Sequence, residues 1–287
     1  MPPRPWPLLI AAISVLFLTV SCAPPVPVSI QAYNDAKNNL KFSDFDGALI
    51  NLEKAIKTAK DDASRQEALV LRTALVAALA DSHRIMAEAY NAGAQHPDAK
   101  SHANSFLKMR ADYYSSANTF LMQAMQSVMD ERSKLGDKPM PLEVAFPTFA
   151  EKIAGLENIK KGQFVSDADR LASELQQDRN CLAAVLSAIA GAGSDPKKGL
   201  AAYNTGKVDV DPRVFIVEMS DSFLQIGAMF LPTGMNQLDR WHTVNQVVRV
   251  NLNVAAKLLA AKPDATLDAR VKKMQADNDK TLKKFGE

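Results

Sequence analysis

The side chains able to do chemistry in this chain are few and scattered. Its four histidines, His83, His96, His102 and His242, never take the i, i+4 spacing by which one helix face offers two imidazoles to zinc, and a proline separates His96 from His102. They read as solvated or capping groups. There is no G-x-S-x-G elbow, no phosphate-cradling P-loop and no G-x-G-x-x-G turn, and Gly191-Ala192-Gly193 lacks the strand that a dinucleotide loop must follow. The expectation is a protein that is not an enzyme and uses no cofactor and no metal. Met122, Met125 and Met129 fall on one helical face near Met109. Soft thioethers suit Cu(I), but the same spacing builds an adaptable apolar core, and core packing is the favoured reading. Tyr113-Tyr114 and Trp241-His242 sit inside apolar stripes, so burial is expected for them as well. Cys181 shares its stripe with Leu175, Leu182, Val185, Leu186 and Ile189, which predicts a buried, unreactive thiol. Lys272-Lys273 and Lys283-Lys284 alternate with Asp277 and Asp279 and read as a solvated helix face.

The elements that must position these groups are helical. Of 287 residues 47% are hydrophobic and 23% charged, which suits a folded globular chain, and 34 Lys+Arg against 32 Asp+Glu leave a net charge of only +2. With the signs interspersed there is no basic face to follow a phosphate backbone, so nucleic acid is excluded as a partner. Two cysteines cannot make a disulfide framework. Apolar residues recur at helical spacing almost throughout: Tyr33, Ala36 and Leu40; then Ala48, Leu49, Leu52, Ala55 and Ile56 after a turn at Phe42-Ser43-Asp44-Phe45. Long helices are expected over about 63–90 and 99–135, a short one over 148–161, and one from Ser166 as N-cap to about 190. Gly136, Pro139, Pro141 and Pro147 mark an internal break. Residues 208–211 are short and mixed, and Val214-Phe215-Ile216-Val217 could be a strand. A helix capped by Asp211 with Pro212 in its first position fits better, since Phe215, Met219, Ile226 and Phe230 keep the helical period. Two further helices precede and follow Pro263, the last opened by Asp264. This amounts to an all-α array of nine or ten helices arranged as antiparallel hairpins, with a first helical region over 30–136 and a second, 137–287, packed on it.

The first residues carry a different signal. Arg4 is the only charge before the apolar run 8–20, whose 13 residues are too few for the roughly 20 that span a membrane and match the core of a secretory signal. Leu18-Thr19-Val20-Ser21-Cys22 resembles the lipobox of bacterial lipoproteins, with Thr19 in place of the usual aliphatic residue. The resemblance implies a signal peptide over 1–21 cut after Ser21 and acyl chains on Cys22. It also implies an outer-membrane location facing the periplasm, because Ala23 is not the Asp that retains such proteins at the inner membrane. Removing Arg4 with the signal leaves 33 − 32, a net charge of +1. The segment 22–29, with Pro24, Pro25 and Pro27, would be an extended tether between lipid and body.

The stretch from Phe42 to Ile56 resembles the second half of a tetratricopeptide repeat, with small residues Ala48 and Ala55 flanking Leu52 after an acidic-aromatic turn. Ala36 would take the small position of the first helix, while Asn39 stands where the family has an aromatic. No second unit follows 34 residues on, so the remaining hairpins are longer and divergent. That resemblance implies a scaffold or adaptor that binds another protein of the cell envelope. The alternative is a solute-binding accessory subunit of a periplasmic transporter. A hydrolase is a third reading, which would need carboxylates or histidines converging in a pocket.

Overall fold

The computed structural model describes residues 26–136, 138–145, 148–193 and 195–286. Ten α-helices account for most of it, and the structure is 77% helical. A first hairpin, α1 (Val28–Lys41) and α2 (Phe45–Thr58), leads to the long helices α3 (Asp62–Gln95) and α4 (Ala103–Glu131). After strand β1 (Met140–Leu142) come α5 (Ala154–Lys160), α6 (Asp167–Ser187) and α7 (Pro196–Tyr203). Strand β2 (Val208–Val210) then precedes α8 (Pro212–Gly227), α9 (Leu238–Ala261) and α10 (Ala265–Lys283). The architecture is all-α and built from hairpins, as the periodicity implies. A single apolar cluster runs from Ala32 to Val271 and crosses the break near 137 without interruption.

Local chemistry starts most of these helices. The side chains of Asp44, Asp61, Ser166, Asp195, Asp211 and Asp264 each accept a backbone N–H from the first turn of the helix that follows, satisfying a donor with no partner inside the helix. Pro196 and Pro212 occupy first-turn positions where no N–H is needed. The caps expected at Ser166, Asp211 and Asp264 are all present.

Several boundaries differ from the sequence expectation, each for a tertiary reason. Helix α3 continues through Gly93 to Gln95, because Gly93 has no side chain just where the chain approaches most closely. A Cβ there would lie 2.1 Å from the Ile159 carbonyl and 2.7 Å from the Phe106 ring. Helix α4 begins only at Ala103, since Pro97–Ala99 forms a separate 3₁₀ turn, and it ends at Glu131. Residues 148–153 are extended and not helical. The Asn180 side chain donates to the Ala150 carbonyl (2.8 Å) and accepts from its N–H (3.0 Å), while Gln176 donates to the Thr148 carbonyl (3.2 Å). Helix α6 gives way at Ala188–Ala192 to a π-helical turn with Gly191 at positive φ. Val208–Val210 is a strand, antiparallel to Met140–Leu142 inside the proline-rich break, and Val214 to Val217 are helical.

Helix α3 touches α2, α4, α5, α6, α8 and β1 and is the axis of the molecule. At its start Arg65 reaches Glu131 at the end of α4, with a bidentate contact of 2.6 and 3.4 Å. Further along the chain, Arg270 of α10 holds Glu218 and Asp221 of α8. Among the described residues no helix is long and apolar enough to cross a membrane.

Gly93→Ala tests the close approach of α3 to α5. Alanine favours the helix by ~1 kcal/mol, but its methyl would collide with a backbone carbonyl. The expected net result is a loss of about 1–3 kcal/mol in denaturant unfolding; a stabilised variant would contradict the packing described.

Candidate functional site

Several buried polar side chains cluster where α6 lies antiparallel along α3 and α4 closes the side. Glu174 of α6 stands opposite His83 of α3, Oε1 to Nε2 3.6 Å, and two turns on Cys181 Sγ lies 3.7 Å from Asp81 Oδ2. From α4, the Tyr113 hydroxyl donates to Glu174 Oε2 at 2.7 Å. Arg170, one turn before Glu174, donates to the Tyr113 oxygen at 3.3 Å and reaches Glu174 at 3.5 Å. Edges of Tyr113 and Phe120 frame the His83 imidazole with ring centroids 5.5 and 5.3 Å away, and Tyr90 stacks on Tyr113. Glu174 therefore joins three helices.

The surroundings set the charges. Burial holds His83 below the usual imidazole value, with Glu174 pulling it partly back, so the ring is neutral at pH 7. Burial, reinforced by the Glu174 carboxylate, pushes the Tyr113 phenol well above its ordinary range. Asp178 is 7% exposed beside Ser82, and desolvation lifts its carboxyl to about 7, an effect that the Glu174 and Asp46 carboxylates add to. His83 Nδ1, Ser82 Oγ and Asp178 Oδ1 are buried without a hydrogen-bond partner. Three such atoms on adjacent turns make this the least satisfied part of the interior.

As chemistry, the cluster is a linked imidazole, carboxylate, phenol and guanidinium. Cys181 beside it is buried, accepts a hydrogen bond from Gln177 (3.2 Å) and has its thiol raised by burial, so it keeps its proton. Among the described residues no three His, Cys, Asp or Glu side chains converge to hold a metal ion. The arrangement docks α6 onto α3 and α4 and makes that docking sensitive to charge.

The other residues singled out in the sequence lie apart from this cluster. His96 accepts from the Asp98 N–H, His102 Nε2 lies 2.7 Å from the Gly162 carbonyl oxygen, and the His242 ring lies tilted against Phe285, centroids 5.0 Å apart. Tyr114 is buried, and Trp241 packs partly buried against the core. The four methionines do not share a face: Met125 is fully buried, Met109 and Met129 pack partly buried against the core, and Met122 is exposed. Lys272 pairs with Asp268 at the surface of α10. Cys22 and Ser21 lie outside the described residues. The sequence reading passed over Arg170, Glu174 and Asp178. Their signal was the series Glu174, Gln177, Asp178 and Cys181, a polar line at helical spacing beside the apolar stripe.

A second feature lies at the end of α3 remote from α1. A cleft of about 510 Å³ opens between the extended residues before α5 and the first turns of α6, lined by Ile153, Val165 and Ala172 together with Lys152, Asn158 and Gln176. On the same helical layer Phe164 is 76% exposed and Leu171 55% exposed. No family model, no curated protein and no solved structure matches this chain.

The cluster yields a pH dependence with a definite sign. The folded state keeps a proton on Asp178 that the unfolded chain releases in the ordinary carboxylate range. The favourable contribution of the neutral acid is complete below that range and is lost as pH rises through about 7. Asp178→Asn should therefore be more stable than the parent at pH 8, by on the order of 2 kcal/mol. The gain should shrink toward pH 5; equal melting temperatures at pH 8 would refute the assignment.

Proposed function

We propose that this protein is a lipid-anchored helical scaffold of the periplasm, held in the outer membrane through Cys22, that binds another envelope protein and does not catalyse a reaction. The observation carrying this reading is the separation of two ends along α3. Its 34 residues span ~50 Å. At one end lies the start of α1, which Cys22 precedes by a few positions in the sequence. At the other, α5 and α6 place Phe164 and Leu171 in solvent beside an open cleft. Exposed aromatic and aliphatic side chains next to a concave surface are the usual anchors of protein interfaces. The tetratricopeptide-like character of α1 and α2 fits the same role: Ala48, Leu52 and Ala55 are buried where the two helices approach closely. The solute-binding alternative calls for an enclosed site, and the clefts of 260 to 510 Å³ found among the described residues are open to solvent.

Two measurements test the two halves of this reading. Cys22→Ala should move the protein from the membrane to the soluble fraction on cell fractionation; retention in the membrane would count against the lipid anchor. Crosslinking in intact envelopes should give a discrete adduct that Phe164→Glu with Leu171→Glu abolishes while the melting temperature stays unchanged. An adduct that survives both substitutions would remove this surface from the interaction.

A further inference from the structure

We infer that the end of the bundle carrying the start of α1 is a lipid-contacting face, seated directly on the phospholipid surface. The inference rests on the anchoring at Cys22 proposed above and adds an orientation to it. Chain length sets the first constraint. Four peptide units separate Cys22 from Val26, so the body begins within ~14 Å of the acylated residue. A longer leader would let the body tumble freely; this one holds the end of α1 at the depth of the headgroups.

The side chains found there supply the second observation. Val26 is 58% exposed, Val28 54% and Ile30 43%, three large apolar residues within five positions. In an α-helix the Cα–Cβ bonds lean toward the N-terminus, so Val28 and Ile30, in the first turn of α1, lean toward the tether. Buried residues of the same helix, Ser29, Ala32 and Tyr33, are covered by the body, while about half of each of the Val28 and Ile30 side chains is left in solvent. Against water these side chains are a liability; against the acyl boundary they are favourable.

Charge decides what kind of lipid contact this is. The same end of the bundle carries the last turns of α2 and the turn into α3, with Lys54, Lys57 and Lys60 exposed. Acidic groups are interleaved with them: Glu53 pairs with Arg72 at 3.0 Å and lies 3.7 Å from Lys57, Arg65 and Lys134 share Glu131, and the Asp61 carboxylate accepts the Ser64 N–H as the cap of α3. With charges of both signs paired across this end, attraction to anionic headgroups is weak. The contact is apolar and does not depend on salt or on anionic lipid.

The test uses the full-length acylated protein reconstituted in phosphatidylcholine vesicles. Ile30→Cys is labelled with a thiol-reactive, environment-sensitive dye, and Phe164→Cys serves as the remote control; buried Cys181 is shielded from the reagent. Brominated phosphatidylcholine should reduce emission from position 30 by about twofold or more and leave position 164 unchanged. High salt should not alter either value. Protein that floats with the vesicles but shows no quenching at position 30, or equal quenching at both positions, overturns the proposed face while leaving the anchor intact. Quenching at position 30 that disappears in high salt overturns its apolar character. Protein that fails to float with the vesicles overturns the anchor at Cys22, and this inference with it.

Discussion

The structure depends on one helix that has no solvent side. Between Ala68 and Ala80 of α3 every side chain except Arg72 is buried. A helix apolar on all faces is stable in water only if it is surrounded. The remaining elements are arranged to do that, with α2, α4, α6 and α8 around it and β1 against one flank. Five of those thirteen residues are alanines, which let neighbouring backbones come close, while Leu71, Leu75 and Val76 fill the spaces between. Each large side chain taken out of water there contributes roughly 1.5–3 kcal/mol.

Immediately after Ala80 the same helix changes character. Asp81, Ser82, His83 and Arg84 follow in sequence, so α6 meets methyl groups over one part of its length and carboxylates, a hydroxyl and an imidazole over the next. A buried polar atom without a partner costs roughly 1–3 kcal/mol, and His83, Ser82 and Asp178 each have one. The apolar packing on either side offsets that cost. Glu174 ties α3, α4 and α6 together there.

Regular spacing and capping were legible in the sequence because both act over a few residues. The stripes of α1, α2, α9 and α10 and the caps at Ser166, Asp211 and Asp264 need nothing from the rest of the chain. What was not legible depends on distant partners. Residues 148–153 have an acceptable helical pattern, yet amides from Gln176 and Asn180 hold their backbone extended from 28 to 30 positions away. The pairing of Met140 with Val210 joins two three-residue segments that are too short to announce themselves as strands. His83 reads as a lone histidine because its carboxylate lies on another helix. Met122 and Met125, three residues apart, seem to share a face until α3 and α8 define which side of α4 is covered; one is then buried and the other is not.

The amide clamp on residues 148–150 has a consequence for how the chain assembles. Helices α1 to α4 contact their neighbours in sequence, so their hairpins close short loops at small entropic expense. Helix α6 must return across about a hundred residues to reach α3, as the contact of Cys181 with Asp81 shows. Thr148 and Ala150 find their hydrogen-bond partners only on α6, so they cannot become ordered before that helix has docked. Until then one flank of α3 stays bare, and an uncovered apolar flank invites association with other chains. Topology thus assigns α6 the part of a closing element: its arrival covers the central helix and, in the same event, gives the extended segment its shape.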